Sequence, residues 1–234
     1  LLEGATFIDI GAYSSRPNSD HISENEELSR LIPIVEIINE NFPDTYISID
    51  TFRSKVAREA LLNGADLIND ISGGQIDPNI FKVAADCSCP YILMHMRGTP
   101  ADMMQHTQYD NLSTNLIHYF STQINKAHKA GIKDIIIDPG FGFSKTRAQN
   151  FELLNQLDLL VVLDKPLLAG LSRKSMIYKT LKTNSEESLN GTTALNMIAL
   201  QKGAMILRVH DVKAARETII LHSELSSNRE YPKA

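Results

Sequence analysis

At 234 residues with 43% hydrophobic side chains, the chain can bury one large core and reads as a single domain over residues 1–234. Its formal net charge of −5, from 23 basic against 28 acidic side chains, argues against nucleic acid or an anionic membrane as partner, since both call for a basic surface. The longest apolar run, Leu159 to Leu171, is broken by Asp164, Lys165 and Pro166, well short of the ~20 residues that span a bilayer. Cys87 and Cys89 lack the second pair that a zinc site needs, so two ordinary thiols and a cytoplasmic location are expected.

Strands and helices alternate from end to end. Leu1-Leu2-Glu3-Gly4 reads as the last turn of a helix closed by Gly4. A strand over 6–10 precedes a polar loop and a helix opened by the capping box Ser23-x-x-Glu26, with Leu28, Leu31, Ile32, Val35 and Ile38 on one apolar face. A strand over 45–50 leads to a helix closed by Gly64, a strand over 67–70 to a helix over 78–86, and a strand over 91–96 to a long loop. The next helix carries Leu112, Leu116, Ile117, Phe120, Ile124 and Ala127 and stops at Gly131. A strand over 134–138, a helix near 148–157, a strand over 167–170, helical segments to 202, a strand over 205–209 and a helix over 212–225 complete the series.

Such alternation predicts a parallel sheet with helical crossovers. An open doubly wound sheet would fit it too, but no G-x-G-x-x-G follows the first strand, and an open sheet gathers its functional residues at one switch point. Here every strand ends in something polar: Asp9, Asp50, Asn69 with Asp70, His95, Asp138, the run Gly170 to Lys174, and Arg208 with His210. A buried strand has no structural need for an acid at its tip. The expectation is an α/β fold, a TIM (β/α)8 barrel whose strand tips converge on one site, with seven of its eight strands visible. One further β/α unit, roughly 25–50 residues, would precede the residues given.

Asp50, Asn69 and Asp138 together suit a flat heterocycle, because carboxylates accept parallel hydrogen bonds and Asn both donates and accepts. Capping of the following helices explains any one of them equally well, but not all three with His95. In Asp138-Pro139-Gly140-Phe141-Gly142-Phe143, glycines let backbone approach a ligand and Phe143 offers a stacking wall; Met94 is placed to line the same pocket. Ser172, Arg173 and Lys174 share one tip, and Arg208 and His210, two apart on a strand, face one side. With Arg16 they make a place for phosphate or pyrophosphate. His106, His118, His128 and His222 read as ordinary polar positions.

Taken in order, seven stretches resemble dihydropteroate synthase, of the pterin-binding barrel superfamily. They are Asp9 to Pro17, Ile49 to Thr51, Ile68 to Gly74, Leu93 to Met96, Asp138 to Phe143, Ser172 to Lys174 and Arg208 to His210. The resemblance implies condensation of 7,8-dihydropterin-6-ylmethyl pyrophosphate with 4-aminobenzoate, giving dihydropteroate and pyrophosphate through a pterin-methyl cation. It implies catalytic roles for Asp50, Asp138, Lys174, Arg208 and His210. Asn69, Met94, Gly142, Phe143, Ser172 and Arg173 would contact substrate, and Ser15, Arg16 and Pro17 would close over the aminobenzoate. It also implies magnesium, its ligand lying in the preceding unit, and a homodimer with Ile219, Ile220 and Leu221 near the interface. The family's Gly-Glu-Ser-Thr-Arg-Pro reads here Ala12-Tyr13-Ser14-Ser15-Arg16-Pro17, with Tyr for Glu and Ser for Thr. Two rivals share the barrel: a methyltetrahydrofolate–corrinoid methyltransferase, which needs no pyrophosphate cluster, and a non-catalytic pterin-binding paralogue, which would need neither that cluster nor Arg16.

Overall fold

The computed structural model describes residues 1–14 and 21–227. Strands β1 (Phe7–Ile10), β2 (Tyr46–Asp50), β3 (Leu67–Asp70), β4 (Tyr91–Met94), β5 (Ile135–Asp138), β6 (Leu168–Ala169) and β7 (Ile206–Leu207) alternate with helices. The helices are α1 (Glu24–Asn41), α2 (Ser54–Leu62), α3 (Asn79–Asp86), α4 (Leu112–Ala130), α5 (Arg147–Asn155), α6 (Ser175–Leu181), α7 (Leu189–Gln201) and α8 (Val212–Ser227). All ladders are parallel, as right-handed helical crossovers require. β1 to β5 pair in sequence order, β6 pairs with β7, and a bridge from Ile137 to Leu167 joins the two sheets.

Period-two alternation assigns each strand residue to a face. The registers Ser48–Leu67 and Asp50–Asn69 put those four side chains on the inner face, two levels apart. The neighbours Ile47 and Ile49 point outward, packing with Leu31 and Val35 of α1 and Val56 and Ala60 of α2. Leu67, Ile92 and Leu168, with Ile136 and Ile206, form a small inner core beneath the strand tips. Each such buried aliphatic contributes about 1.5–3 kcal/mol to stability. That inner core is the floor on which polar tips can stand.

Several local expectations change in detail. Leu1–Gly4 is one turn, closed by Gly4 N–H donating to Leu1 O, rather than a helix end. Only half of the α1 capping box forms: Glu26 N–H donates to Ser23 Oγ, while the Glu26 carboxylate pairs with Arg30 instead. The full reciprocal box lies at α5, between Thr146 and Gln149. β6 and β7 are two-residue strands, shorter than expected, because the chain leaves the sheet early to turn their tips into the site. The sheet is not closed: among the described residues no ladder joins β7 to β1. A cavity of about 480 Å³ opens there, lined by β1, β7 and α8 and floored by Leu67, Ile92 and Leu168. No described helix is long and apolar enough to cross a membrane.

Candidate active site at the strand tips

The inward-facing tips converge at the mouth of the sheet. Asp9, on β1, is the hub on one side: its carboxylate accepts from Ser48 Oγ at 2.7 Å and from Asn69 Nδ2 at 3.0 and 3.2 Å. Arg208 reaches the same carboxylate from β7, Nη1 to Oδ2 3.6 Å. Gly170 leaves room for this reach, since a Cβ there would lie 3.3 Å from Arg208 Nη2. Arg208 Nε is buried with no hydrogen-bond partner among the described residues, an orphaned donor. Asp50, register partner of Asn69, receives no hydrogen bond from a described side chain and faces the same space.

The charges are strongly interdependent. Burial, helped by the nearby Asp9 carboxylate and opposed by Arg208, raises Asp50 to about 7. Burial and the Arg208 charge lower Lys174 to about 7, against the pull of Asp138 and Asp50. Burial disfavours the Arg208 cation, yet Asp9, Asp138 and Asp50 together hold it above the ordinary arginine range. Asp50 and Lys174 are thus both kept near their switching points, beside a guanidinium that stays charged. A ligand carrying both N–H donors and an anion would settle all of them in the charged form.

Asp138 is buried at the end of β5, opposite Met94 in register, and its carboxylate accepts from Gly140 N–H at 2.8 Å. Gly140 is left-handed (φ 70°), and a Cβ there would meet His95 O at 2.2 Å, so only glycine allows the turn to fold against β4. Gly142 N–H donates to Asn150 Oδ1 at 2.6 Å. Lys174 donates to Phe141 O and lies 5.0 Å from the Phe143 ring centroid. Met94 and Phe143 belong to one apolar cluster with Phe52, Ile71, Met96 and Met103, and Tyr13 packs against it.

At the next tip, His210 N–H donates to Ser172 Oγ at 3.1 Å, and Ser172 Oγ lies 2.9 Å from His210 Nδ1. The hydroxyl thus ties the His210 backbone and ring to the Ser172 tip. Arg173 is left-handed (φ 55°) and its guanidinium forks onto Asp211 at 2.6 and 2.9 Å, so its positive charge is already matched within the loop. Ser15, Arg16 and Pro17 lie outside the described residues.

Two tip residues face elsewhere. Asp70 points to the helix layer, where Tyr91 OH, Ser72 N–H and Gly74 N–H donate to it; adjacent to Asn69, it must take the opposite face. His95 is buried beyond β4 against Tyr119, ring centroids 4.7 Å apart, and its pKa is held well below the usual value by burial and by Lys145. Lys145 and the hub role of Asp9 escaped the sequence reading. Asp9 was visible as a tip, but its partners are 39, 60 and 199 positions away. Nothing in the string Ser144-Lys145-Thr146 marks a buried ammonium.

The described residues include no group of three His, Cys, Asp or Glu side chains able to hold a metal ion. The expected magnesium therefore finds no ready ligand set in these residues, and Asp9, the best-placed carboxylate, is committed to Ser48, Asn69 and Arg208.

The sequence profile of a family described as pterin binding enzyme matches residues 1–210. The dihydropteroate synthase of Haemophilus influenzae is 43% identical over 221 residues, 94% of this chain and 80% of its own. That of Escherichia coli K12 is 41% identical over 233 residues, covering 97% and 82%. Among solved structures, Yersinia pestis dihydropteroate synthase in a sulfonamide drug complex superposes with a TM-score of 0.93 at 40% identity, over 97% of this chain and 82% of that one. The Xanthomonas albilineans dihydropteroate synthase with 4-aminobenzoic acid gives 0.88 at 37% identity, over 99% and 82%. The fold and the site define a pterin-binding enzyme, and the chain belongs to that family, among its dihydropteroate synthases. These are transferases of folate biosynthesis.

Proposed function

We propose that the strand-tip site condenses 7,8-dihydropterin-6-ylmethyl pyrophosphate with 4-aminobenzoate, releasing pyrophosphate. The observation that carries this reading is the convergence of Asp50, Asn69 and Asp138 with Lys174 and the orphaned Arg208 donor in one mouth. Asp50, Asn69 and Asp138 take the N–H and amino edge of the pterin. Lys174 meets its carbonyl side, and Met94, Gly142 and Phe143 line its faces. Arg208 and His210 take the pyrophosphate. The C–O bond to pyrophosphate breaks first, and its electron pair leaves with the anion. The remaining pterin-methyl cation is stabilised by the Asp50 and Asp138 carboxylates. The aromatic amine then forms the C–N bond and loses a proton to water, needing no strong base because its target is a cation.

Ser172, with Ser15, Arg16 and Pro17, holds the aminobenzoate, and Arg173 braces that tip through Asp211. Magnesium, bound with the pyrophosphate, would add charge neutralisation there; every step above runs through the chain's own residues. The chain acts as one pterin-binding domain, and an eighth strand between β7 and β1 would close the barrel. The two free thiols fit a reducing, cytoplasmic setting.

The test is pyrophosphate release from the pterin pyrophosphate, with and without 4-aminobenzoate, on this chain and on a form extended by one N-terminal β/α unit. Release that requires the aminobenzoate and yields dihydropteroate supports the synthase; tight pterin binding with no turnover in either form overturns it. Arg16→Ala is expected to lower turnover roughly 10–100-fold by misplacing the second substrate, with pterin affinity in calorimetry nearly unchanged. Equal losses in both would remove Arg16 from the aminobenzoate side.

A homodimer is also part of this reading. On α8, Ile219 faces the cavity, whereas Ile220 is 50% exposed and Leu221 is 60% exposed beside Met197 and Leu225. Such a patch is a natural contact surface. Leu221→Glu should convert a dimer to a monomer in sedimentation velocity, and an unchanged dimer would place the interface elsewhere.

A further inference from the structure

Lys145 is 2% exposed and carries its ammonium deep inside the β4–β5 edge of the site. Buried lysines usually sit opposite a carboxylate. This one instead donates to three neutral acceptors: His95 Nδ1 at 3.1 Å, Gly140 O at 3.0 Å and Phe143 O at 3.1 Å. Three donors meet three acceptors, which uses the whole capacity of the group. Two of the acceptors are the carbonyls at either end of the turn that carries Gly142 and Phe143. The third belongs to the residue after Met94 and pulls the turn onto β4. Toward the protonated ammonium His95 accepts at Nδ1, which puts the neutral ring's proton on Nε2. Asp138 opens the same turn and attracts the ammonium, yet burial, helped by Lys174 and Arg97, lowers Lys145 to about 7; Tyr109 and Tyr119 wall the far side of His95.

We propose that Lys145 is a positioning residue for the pterin: one buried ammonium clamps Gly140 O, Phe143 O and His95 Nδ1, and so sets Phe143 and Asp138 against the Met94 wall. The inference rests on the pterin reading above and adds to it a residue that touches no substrate. The clamp explains why the interior holds a lysine where an apolar side chain would fill the same volume. A methionine would leave His95 Nδ1 and Phe143 O without this donor and Gly140 O with only the Phe143 N–H, and the turn free to shift by a fraction of an ångström, enough to spoil hydrogen bonds to a rigid heterocycle. When protonated, Lys145 also attracts the Asp138 carboxylate. A lysine that merely held the fold together would alter thermal stability and leave the affinity of folded protein untouched. A positioning lysine alters affinity for one substrate in particular.

The experiment measures binding of 6-hydroxymethyl-7,8-dihydropterin, and the Michaelis constant for the aminobenzoate, in the parent and in Lys145→Met. The expected result is a pterin Kd raised about tenfold or more, with the aminobenzoate Michaelis constant changed less than about threefold. Asp138→Asn should then cost less in the Lys145→Met background than in the parent, because both act on one contact. A folded variant that binds the pterin like the parent, with Asp138→Asn costing the same in both backgrounds, overturns the inference. If Lys145→Met does not fold, the parent decides: its Lys145 ammonium and His95 imidazole resonances in 15N spectra should shift on adding the pterin. Unshifted resonances in a pterin-saturated parent overturn the inference while leaving the pterin reading intact. A parent that binds no pterin overturns both.

Discussion

Replacing Arg208 with alanine is expected to weaken binding of the pterin pyrophosphate by about 2–4 kcal/mol, the range for truncating one partner of a buried charge pair, or roughly 30- to 1000-fold. The guanidinium pairs with Asp9 at 3.6 Å, and its buried Nε has no partner among the described residues, which suits the proposed anion role. The bare pterin alcohol has no anion to lose, and its affinity should fall far less; equal losses in calorimetry would refute the anion role. The substitution has a second signature. Arg208 is the chief charge opposing the upward shift of Asp50, which already sits at about 7. Without it, Asp50 holds its proton to higher pH. In the proposed mechanism Asp50 works as the ionised carboxylate, so activity is expected to be lost as pH falls through this pKa, and the acid limb of the pH–rate profile should move upward. The stability consequence has the same origin: a carboxyl with a raised folded pKa favours the protonated native state. Between its unfolded value, near 4, and its folded value, stability therefore declines as pH rises.

Asp138→Asn is expected to cost about 1–3 kcal/mol in pterin affinity, the range for hydrogen bonds to a charged group, which is roughly 5- to 150-fold. The change is conservative for the fold. An asparagine Oδ1 can still accept from Gly140 N–H, so the turn and the Lys145 clamp should survive. What is lost is the second acceptor and the negative charge facing the ring. Turnover should therefore suffer more than binding, because the charge matters most once the pterin becomes a cation. Isothermal titration with the pterin alcohol reads the first effect, and single-turnover pyrophosphate release reads the second. Unchanged affinity would remove Asp138 from the site.

The wider α/β plan was legible because it depends on local pattern. Alternating apolar runs and helical faces announced parallel strands and crossovers, and acids at the strand tips had no use in a dry core. The same logic located Asp50, Asn69 and Asp138, which do converge. It misjudged Asp70 and His95, since a polar tip alone does not say which face a residue takes. Asn69 and Asp70 are neighbours in sequence, yet one turns inward to Asp9 and the other outward to Tyr91. A one-residue difference in register exchanges those faces.

What the sequence determined by itself was the order of elements, the parallel sheet, the inward acids and the motifs that place the chain among the dihydropteroate synthases. Only the tertiary structure decided how the charges are matched. Asp9 joins Ser48, Asn69 and Arg208 from three other strands, and Arg173 is spoken for by Asp211. Lys145 finds His95 across 50 positions. The reason is physical: strand and helix periodicity is written within a few residues, whereas a buried charge is satisfied by whichever acceptors the fold brings to it, however distant in the chain.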